Sequence, residues 1–326
     1  MQGKIALEEH FAIDQTVIDS ERMEGGTDAW LEIRERLLDT EDLRLAEMDR
    51  HGIELAILSL NAPTIQAVAD KATAVDLARK ANDELAKKIA KRPDRFAGFA
   101  ALPMQDPDAA SRELTRCVDE LGFKGAFVNG FSQVDGADSA IFYDIAEYRP
   151  FWACVQDLDV PFYLHPRSPN PNWNPAYRGH PWLMTSAWGF GAETSVHALR
   201  LITSGLFDEF PRLRIVLGHL GEGIPYDMWR IDHRIVRTPP RYPAKKKVSE
   251  YLRSNFYFTT SGNFHDPTLH CALTEMGADR IMFSVDYPFE QIDEAASWFD
   301  NTEMTNEDRA KIGRANANKL FKLDLA

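Results

Sequence analysis

Short apolar runs recur along the chain, and between them the apolar positions shift to helical spacing. The strand-like runs fall at residues 4–8, 55–60, 96–102, 125–129, 161–165, 214–219, 256–261 and 280–286. Most lack a clean apolar–polar alternation, as expected of parallel strands covered on both faces. Strands alternating with helices over the whole length predict an α/β fold, a distorted (β/α)8 TIM barrel in one domain spanning 1–326.

The intervening stretches carry helix punctuation. Asp106 is placed to cap a helix whose first residue is Pro107; Ala110, Leu114, Cys117 and Leu121 then mark one apolar stripe before Gly122. Ala74, Ala78, Ala81, Leu85 and Ile89 form a similar stripe, with Lys87, Lys88, Lys91 and Arg92 expected on a solvated face. Three connections, 11–40, 130–151 and 166–193, exceed what a minimal barrel needs. Each follows a strand, so each is an insertion on the C-terminal face, where long ordered loops shape a pocket. The third is rich in Pro, Asn and Trp and reads as a rigid aromatic lid.

That face also collects the chemistry. Four apolar runs end in Glu8-Glu9-His10, His165, Gly218-His219 and Asp286. In a parallel barrel all strand ends of one polarity meet, so residues from opposite ends of the chain can surround one ion. Glu8 and His10, two apart on an extended strand, point the same way, and Glu9 points the opposite way. Carboxylate and imidazole donors suit Zn(II) or a harder ion such as Mn(II). Taken alone, Glu-x-His describes a loop anchor as well as a metal site. His165 and Asp286, at the ends of later strands, turn the balance towards metal binding by Glu8, His10, His165 and Asp286. His219 has three readings: a fifth ligand, a group that orients substrate or moves a proton with Glu222 on its other ring nitrogen, or a loop pin.

A net charge of -13 argues against nucleic-acid and anionic-membrane partners, which need clustered positive charge, but leaves room for a small anionic substrate at a cation. Cys117, Cys154 and Cys271 show no metal or redox spacing and read as reduced thiols. With no signal sequence and no apolar run near about 18 residues, a soluble, cytoplasmic protein is expected.

The ordered set Glu8-Glu9-His10-Phe11-Ala12, Ser59-Leu60-Asn61-Ala62-Pro63, Val128-Asn129-Gly130-Phe131-Ser132-Gln133, His165-Pro166-Arg167, Gly218-His219-Leu220-Gly221-Glu222 and Asp286-Tyr287-Pro288-Phe289-Glu290 resembles the decarboxylase branch of the amidohydrolase superfamily. The resemblance runs over nearly the whole chain. It implies one divalent metal per subunit, Mn(II) or Zn(II), held by Glu8, His10, His165 and Asp286. It also implies nonoxidative, reversible loss of CO2 from a hydroxylated benzoate, with 2,6-dihydroxybenzoate first and other hydroxybenzoates as alternatives. It assigns catalysis to Asp286, His219 and Glu222, and a homodimer or homotetramer to the assembly. The first strand has Glu-x-His where many hydrolytic members have His-x-His, and the fourth offers Asn129 but no bridging lysine, so a binuclear hydrolase is disfavoured. A mononuclear hydrolase using metal-bound water remains the rival class.

Charge suggests the reaction order. Direct expulsion of CO2 would leave an aryl carbanion. Protonating the carboxylate-bearing carbon first avoids it; the resemblance implies Asp286 as the donor, with His219 and Glu222 supporting its protonation and positioning. Asn129 and Arg167 are candidates for substrate oxygens, each with an equally plain role as a loop or strand-end anchor. Met23, Phe190, Trp188 and Phe289 are candidates for apolar walls around a benzene ring.

Overall fold

In the computed structural model, which describes residues 1–23 and 27–325, nine short strands run parallel. They are β1 (Lys4–Phe11), β2 (Ile53–Leu60), β3 (Phe96–Gly98), β4 (Ala100–Ala101), β5 (Ala126–Asn129), β6 (Phe162–His165), β7 (Ile215–Leu217), β8 (Phe256–Thr259) and β9 (Ile281–Met282). Hydrogen bonding links β1-β2-β3 and β4-β5-β6-β7-β8-β9. The third strand position is broken at Phe99, whose N–H still donates to Leu58 O at 2.9 Å while Ala100 N–H turns to Gly125 O at 2.8 Å. Thus β3 and β4 are two halves of one position. A Cβ at Gly98 would sit 2.8 Å from Ile89 Cδ1, so the bend lets a helix approach the backbone closely.

The last strand returns to the first. Asp286 N–H donates to Glu8 O at 3.0 Å and His10 N–H to Tyr287 O at 2.6 Å. The Ser284 hydroxyl receives Glu8 N–H at 2.7 Å and Leu7 N–H at 3.2 Å, then donates to Glu9 at 3.1 Å. A side chain thereby takes the place of ladder bonds along this seam. Eight strand positions close into a barrel, and all eight runs read from the sequence supply one.

The interior is layered. Phe321, on the C-terminal helix Asn316–Phe321, plugs the N-terminal end, its ring 5.4 Å from that of Phe99. Above it, Phe127 lies 6.0 Å from Phe99 and 4.8 Å from Tyr163. Polar rings come next: His165 lies 4.9 Å from Phe127 and from His10. The lumen therefore changes from wholly apolar to ionisable towards the strand C-termini.

Outside the barrel, the helix Pro107–Asp119 is capped by Asp106, whose carboxylate accepts Ala109 N–H at 2.9 Å. It stops at Asp119, so Leu121 lies beyond it, and Gly122 adopts φ +70° in the turn. In the helix Lys71–Lys91, Ala74, Ala78, Ala81 and Leu85 are buried. Lys88 departs from the solvated face expected of it: it is half-buried and donates to Leu38 O at 3.1 Å. The connection 11–40 is not irregular either. It holds a 3-10 helix, Val17–Met23, and an α-helix, Thr27–Leu38, because Trp30 and Leu37 pack on Ala12 and Val17.

Candidate metal centre and active site

Glu8 and His10 leave β1, His165 ends β6, and Asp286 follows β9; one donor atom from each lies within 4.8 Å of the others. His165 Nε2 is 3.1 Å from Glu8 Oε1, and His10 Nε2 is 3.1 Å from Asp286 Oδ1. Among the described residues this is the sole such group of His, Cys, Asp and Glu. His180, His197, His233, His265 and His270 lie outside it.

Each donor is held from behind. Glu8 Oε2 accepts from the Tyr163 and Ser261 hydroxyls, and Thr259 Oγ1 bridges these two at 2.7 Å and 2.9 Å. Glu8 Oε1 is buried and no well-directed hydrogen bond satisfies it. His10 Nδ1 meets Ser59 Oγ at 3.2 Å, which leaves Nε2 for the cluster. Gly218 keeps the cradle open, for a Cβ there would sit 2.7 Å from Glu8 Oε2 and 3.0 Å from Ser261 Oγ. An unsatisfied buried carboxylate oxygen beside two imidazoles and a second carboxylate is a donor set that fits one divalent cation. Burial alone would push the Glu8 carboxyl up, but the His219, His165 and His10 imidazoles hold it well below the usual range. Burial outweighs the Glu8 contact at His165 and favours its neutral, ligating form.

Glu9 points away from the cluster, as the strand period requires. It is buried against the seam, accepting from Val285 N–H at 3.0 Å and from Ser284. Burial pushes its carboxyl up to about 8 despite those bonds and the nearby Arg44 charge.

His219 joins the donors to an acid–base pair. Its Nε2 lies 3.5 Å from Asp286 Oδ2 and 3.8 Å from Glu8 Oε1, and its Nδ1 lies 2.9 Å from Glu222 Oε1. Although burial opposes the charge, the Glu222 and Glu8 carboxylates hold the imidazolium well above the ordinary histidine range. His219, Leu220, Glu222 and Asp286 all adopt φ between +52° and +83°, a conformation that costs non-glycine residues energy and aims these side chains off the strand ends. Side-chain exposure is 20% for His219 and 15% for Asp286, against 0% for Glu8 and His10, so the site opens on the side of the first two.

A cavity of about 900 Å³ lies there, lined by His219, Glu222, Gly262, Trp188, Phe190 and Arg230 among others. Trp188 and Phe190 thus stand on its wall. The Phe289 ring is 5.4 Å from that of His10. The Met23 side chain lies outside the described residues. Arg167 is turned elsewhere: it donates to Phe131 O at 2.7 Å and Gln66 O at 3.2 Å and stacks 4.1 Å over the Phe131 ring. Asn129 donates to Asn61 O at 3.2 Å, the strand-end role, while its Oδ1 is buried without a partner.

The hydroxyl cradle of Tyr163, Thr259 and Ser261, and Ser59 behind His10, were missed in the sequence. A signal existed. Tyr163 stands two before His165 and Ser261 two after Thr259, so the period of two puts these hydroxyls on the face that carries the ligands.

Comparison with known proteins agrees with this geometry. The amidohydrolase family pattern matches residues 27–323. The γ-resorcylate decarboxylase of Rhizobium sp. (strain MTP-10005) is 60% identical over 326 residues, covering 99% of each chain. A crystal structure of 2,6-dihydroxybenzoate decarboxylase complexed with 2,6-dihydroxybenzoate superposes with a TM-score of 0.97 at 60% identity, over 99% of this chain and 100% of that one. The dihydroxybenzoic acid decarboxylase of Polaromonas sp. JS666, with bound manganese and the inhibitor 2-nitroresorcinol, also gives 0.97, at 59% identity over 100% of this chain and 98% of that one. The chain belongs to the amidohydrolase family, in the branch that holds the γ-resorcylate decarboxylases.

Proposed function

We propose that this protein catalyses the nonoxidative, reversible decarboxylation of 2,6-dihydroxybenzoate to resorcinol and CO2. One divalent cation, Mn(II) first and Zn(II) second, is held by Glu8, His10, His165 and Asp286. The observation that carries the reading is the closed donor cluster with His219–Glu222 at its open side, in a chain 60% identical to γ-resorcylate decarboxylases over its full length. When bound, the cation supplies a Lewis acid that withdraws charge from the substrate carboxylate and its neighbouring phenolic oxygen.

The chain's own residues do the rest. Asp286 protonates the ring carbon bearing the carboxylate. The C–C bond then breaks, CO2 departs, and the bonding pair restores aromaticity. Because Asp286 Oδ2 lies 3.5 Å from His219 Nε2, the imidazolium restores the spent proton, and Glu222 on Nδ1 fixes the ring orientation. Trp188, Phe190 and Phe289 give the benzene ring apolar walls. Asn129 Oδ1, buried without a hydrogen-bond partner, is the candidate for a substrate hydroxyl on the strand side. Arg167, spent on carbonyls, acts on the loop 130–133 and through it on the pocket shape.

The chain works as one domain in a cytoplasmic setting, in keeping with its three free thiols; among the described residues no helix is long and apolar enough to cross a membrane. A homodimer or homotetramer belongs to the same reading.

Product analysis of Mn(II)-loaded protein with 2,6-dihydroxybenzoate tests the activity. Stoichiometric resorcinol and CO2 are expected. Turnover of only another hydroxybenzoate would move the substrate, and a product heavier by water would make the protein a hydrolase. Asp286→Asn should abolish turnover while some metal stays bound; normal turnover would refute the proton-donor role.

A further inference from the structure

The chain is acidic overall, yet one stretch reverses the sign. Between residues 230 and 247 stand Arg230, Arg234, Arg237, Arg241 and Lys245 to Lys247 against a single acid, Asp232. Asp232 is committed elsewhere, accepting from Ser249 N–H at 3.2 Å and from its hydroxyl. The acids flanking the run, Asp208 and Glu250, are bound to the backbone N–H groups of Lys245 and Lys247 at 2.9 Å. All seven cationic residues are exposed, and among the described residues none is in an ion pair.

Their placement is as informative as their number. Arg230 and Arg234 line the cavity that holds His219 and Glu222. Arg237, Arg241 and Lys245 to Lys247 line a second cavity of about 500 Å³ with the acid Glu250, its lining beginning at Val236, two residues beyond Arg234 in sequence. The two cationic groups meet where Arg237 N–H donates to Arg234 O at 3.0 Å, and at the site cavity Arg230 and Arg234 stand beside the acids Glu222 and Asp227. A chain with a net charge of -13 repels a benzoate anion at long range. Unpaired surface cations beside a cleft offset that field and raise the local concentration of an anion.

We propose that the segment 237–247 is a collecting surface for the anionic hydroxybenzoate, drawing it towards the cavity mouth at Arg230 and Arg234. The inference rests on the decarboxylase reading and adds a direction to it. Substrate is an anion and the aromatic product is neutral, so the surface attracts the one and has no long-range hold on the other. Forward turnover then meets less competition from its own aromatic product.

The test uses the Mn(II)-loaded full-length enzyme and a variant carrying Arg237→Ala, Arg241→Ala and Lys246→Ala, with Lys246→Glu alone as a second variant. At about 0.01 M ionic strength, where the Debye length is about 30 Å, KM for 2,6-dihydroxybenzoate should rise about three- to tenfold. At about 0.5 M salt the difference should vanish. The kcat and the inhibition constant of neutral resorcinol should stay unchanged throughout. An unchanged KM at low salt would overturn the proposal. So would a shift that persists in high salt or is matched for resorcinol, which would mark a change of shape. A variant that instead alters the sedimentation coefficient would make the segment a contact between copies of the chain. Absence of turnover in the unmodified enzyme removes the decarboxylase reading and this one with it, whereas normal turnover with unshifted KM removes this one alone.

Discussion

Glu8 shows how one side chain is divided between structure and chemistry. One oxygen is spent on the Tyr163 and Ser261 hydroxyls, and the other is left for a cation. Tyr163→Phe removes a donor without removing the ring that packs on Phe127. Mn(II) affinity should fall about 10- to 100-fold, the usual cost of losing a supporting group behind a ligand, while the thermal melt of the apoprotein changes little. A competition titration with a chelating dye reads this directly, and unchanged affinity would leave the cradle a packing feature. A different cost is visible at Glu193. Both its oxygens are buried without hydrogen bonds, and burial pushes its carboxyl from 4.5 up to about 7 against the Arg167 and Arg200 charges. The folded chain therefore keeps a proton there that the unfolded chain releases above about pH 4.5. Stability attributable to this group falls as pH rises from about 4.5 to 7 and is level beyond. Glu193→Gln should remove that decline, so melting temperatures of the two proteins should diverge in the variant's favour between pH 5 and 8. Parallel curves would show that Glu193 is ionised in the native state. None of these environments is written in composition: Glu193 looks like any helix glutamate until Tyr143, Arg167 and Arg200 surround it.

At the scale of elements, the strand ends decide what the site can be. Eight apolar runs were legible because parallel strands are buried on both sides and need no polar alternation. The candidate donor cluster was legible because Glu8, His10, His165 and Asp286 stand at or just beyond the ends of those runs. Reading failed where the backbone departs from regular strand. Phe96–Leu102 reads as one apolar run, but the sheet changes partner at Phe99, and nothing in a run of Phe, Ala and Gly marks a change of partner. Likewise the runs 214–219 and 280–286 pass out of strand before reaching His219 and Asp286, which adopt positive φ. Local sequence favours glycine in that conformation, and here the surrounding hydrogen bonds impose it on His and Asp. Gly218 is a case where sequence and geometry agree in retrospect. Gly218→Ala places a methyl group against Glu8 Oε2 and Ser261 Oγ. The variant should purify folded but with metal content reduced severalfold, measured by elemental analysis beside a circular dichroism melt. Full metal occupancy would show that β7 can retreat from the lumen.

Over the whole molecule, the barrel is stoppered at one end and reactive at the other. Phe321 packs under Phe99, far from His219 along the lumen, so the two ends should fail separately. Phe321→Ala should cost roughly 3–5 kcal/mol of stability by leaving a buried void, read by urea denaturation, with KM and kcat of the surviving fold unchanged. A parallel loss of kcat would show that the plug sets the height of the ring stack beneath His165. The seam between β1 and the segment after β9 has a further consequence. Glu8 and His10 leave the ribosome long before Asp286, which emerges some 276 residues after His10. Until that segment arrives and docks through Ser284, the early residues hold an incomplete set of donors. A nascent chain that stops short of Asp286 would lack the fourth donor of the proposed site, so capture of an ion would wait until that segment is made and the seam closes.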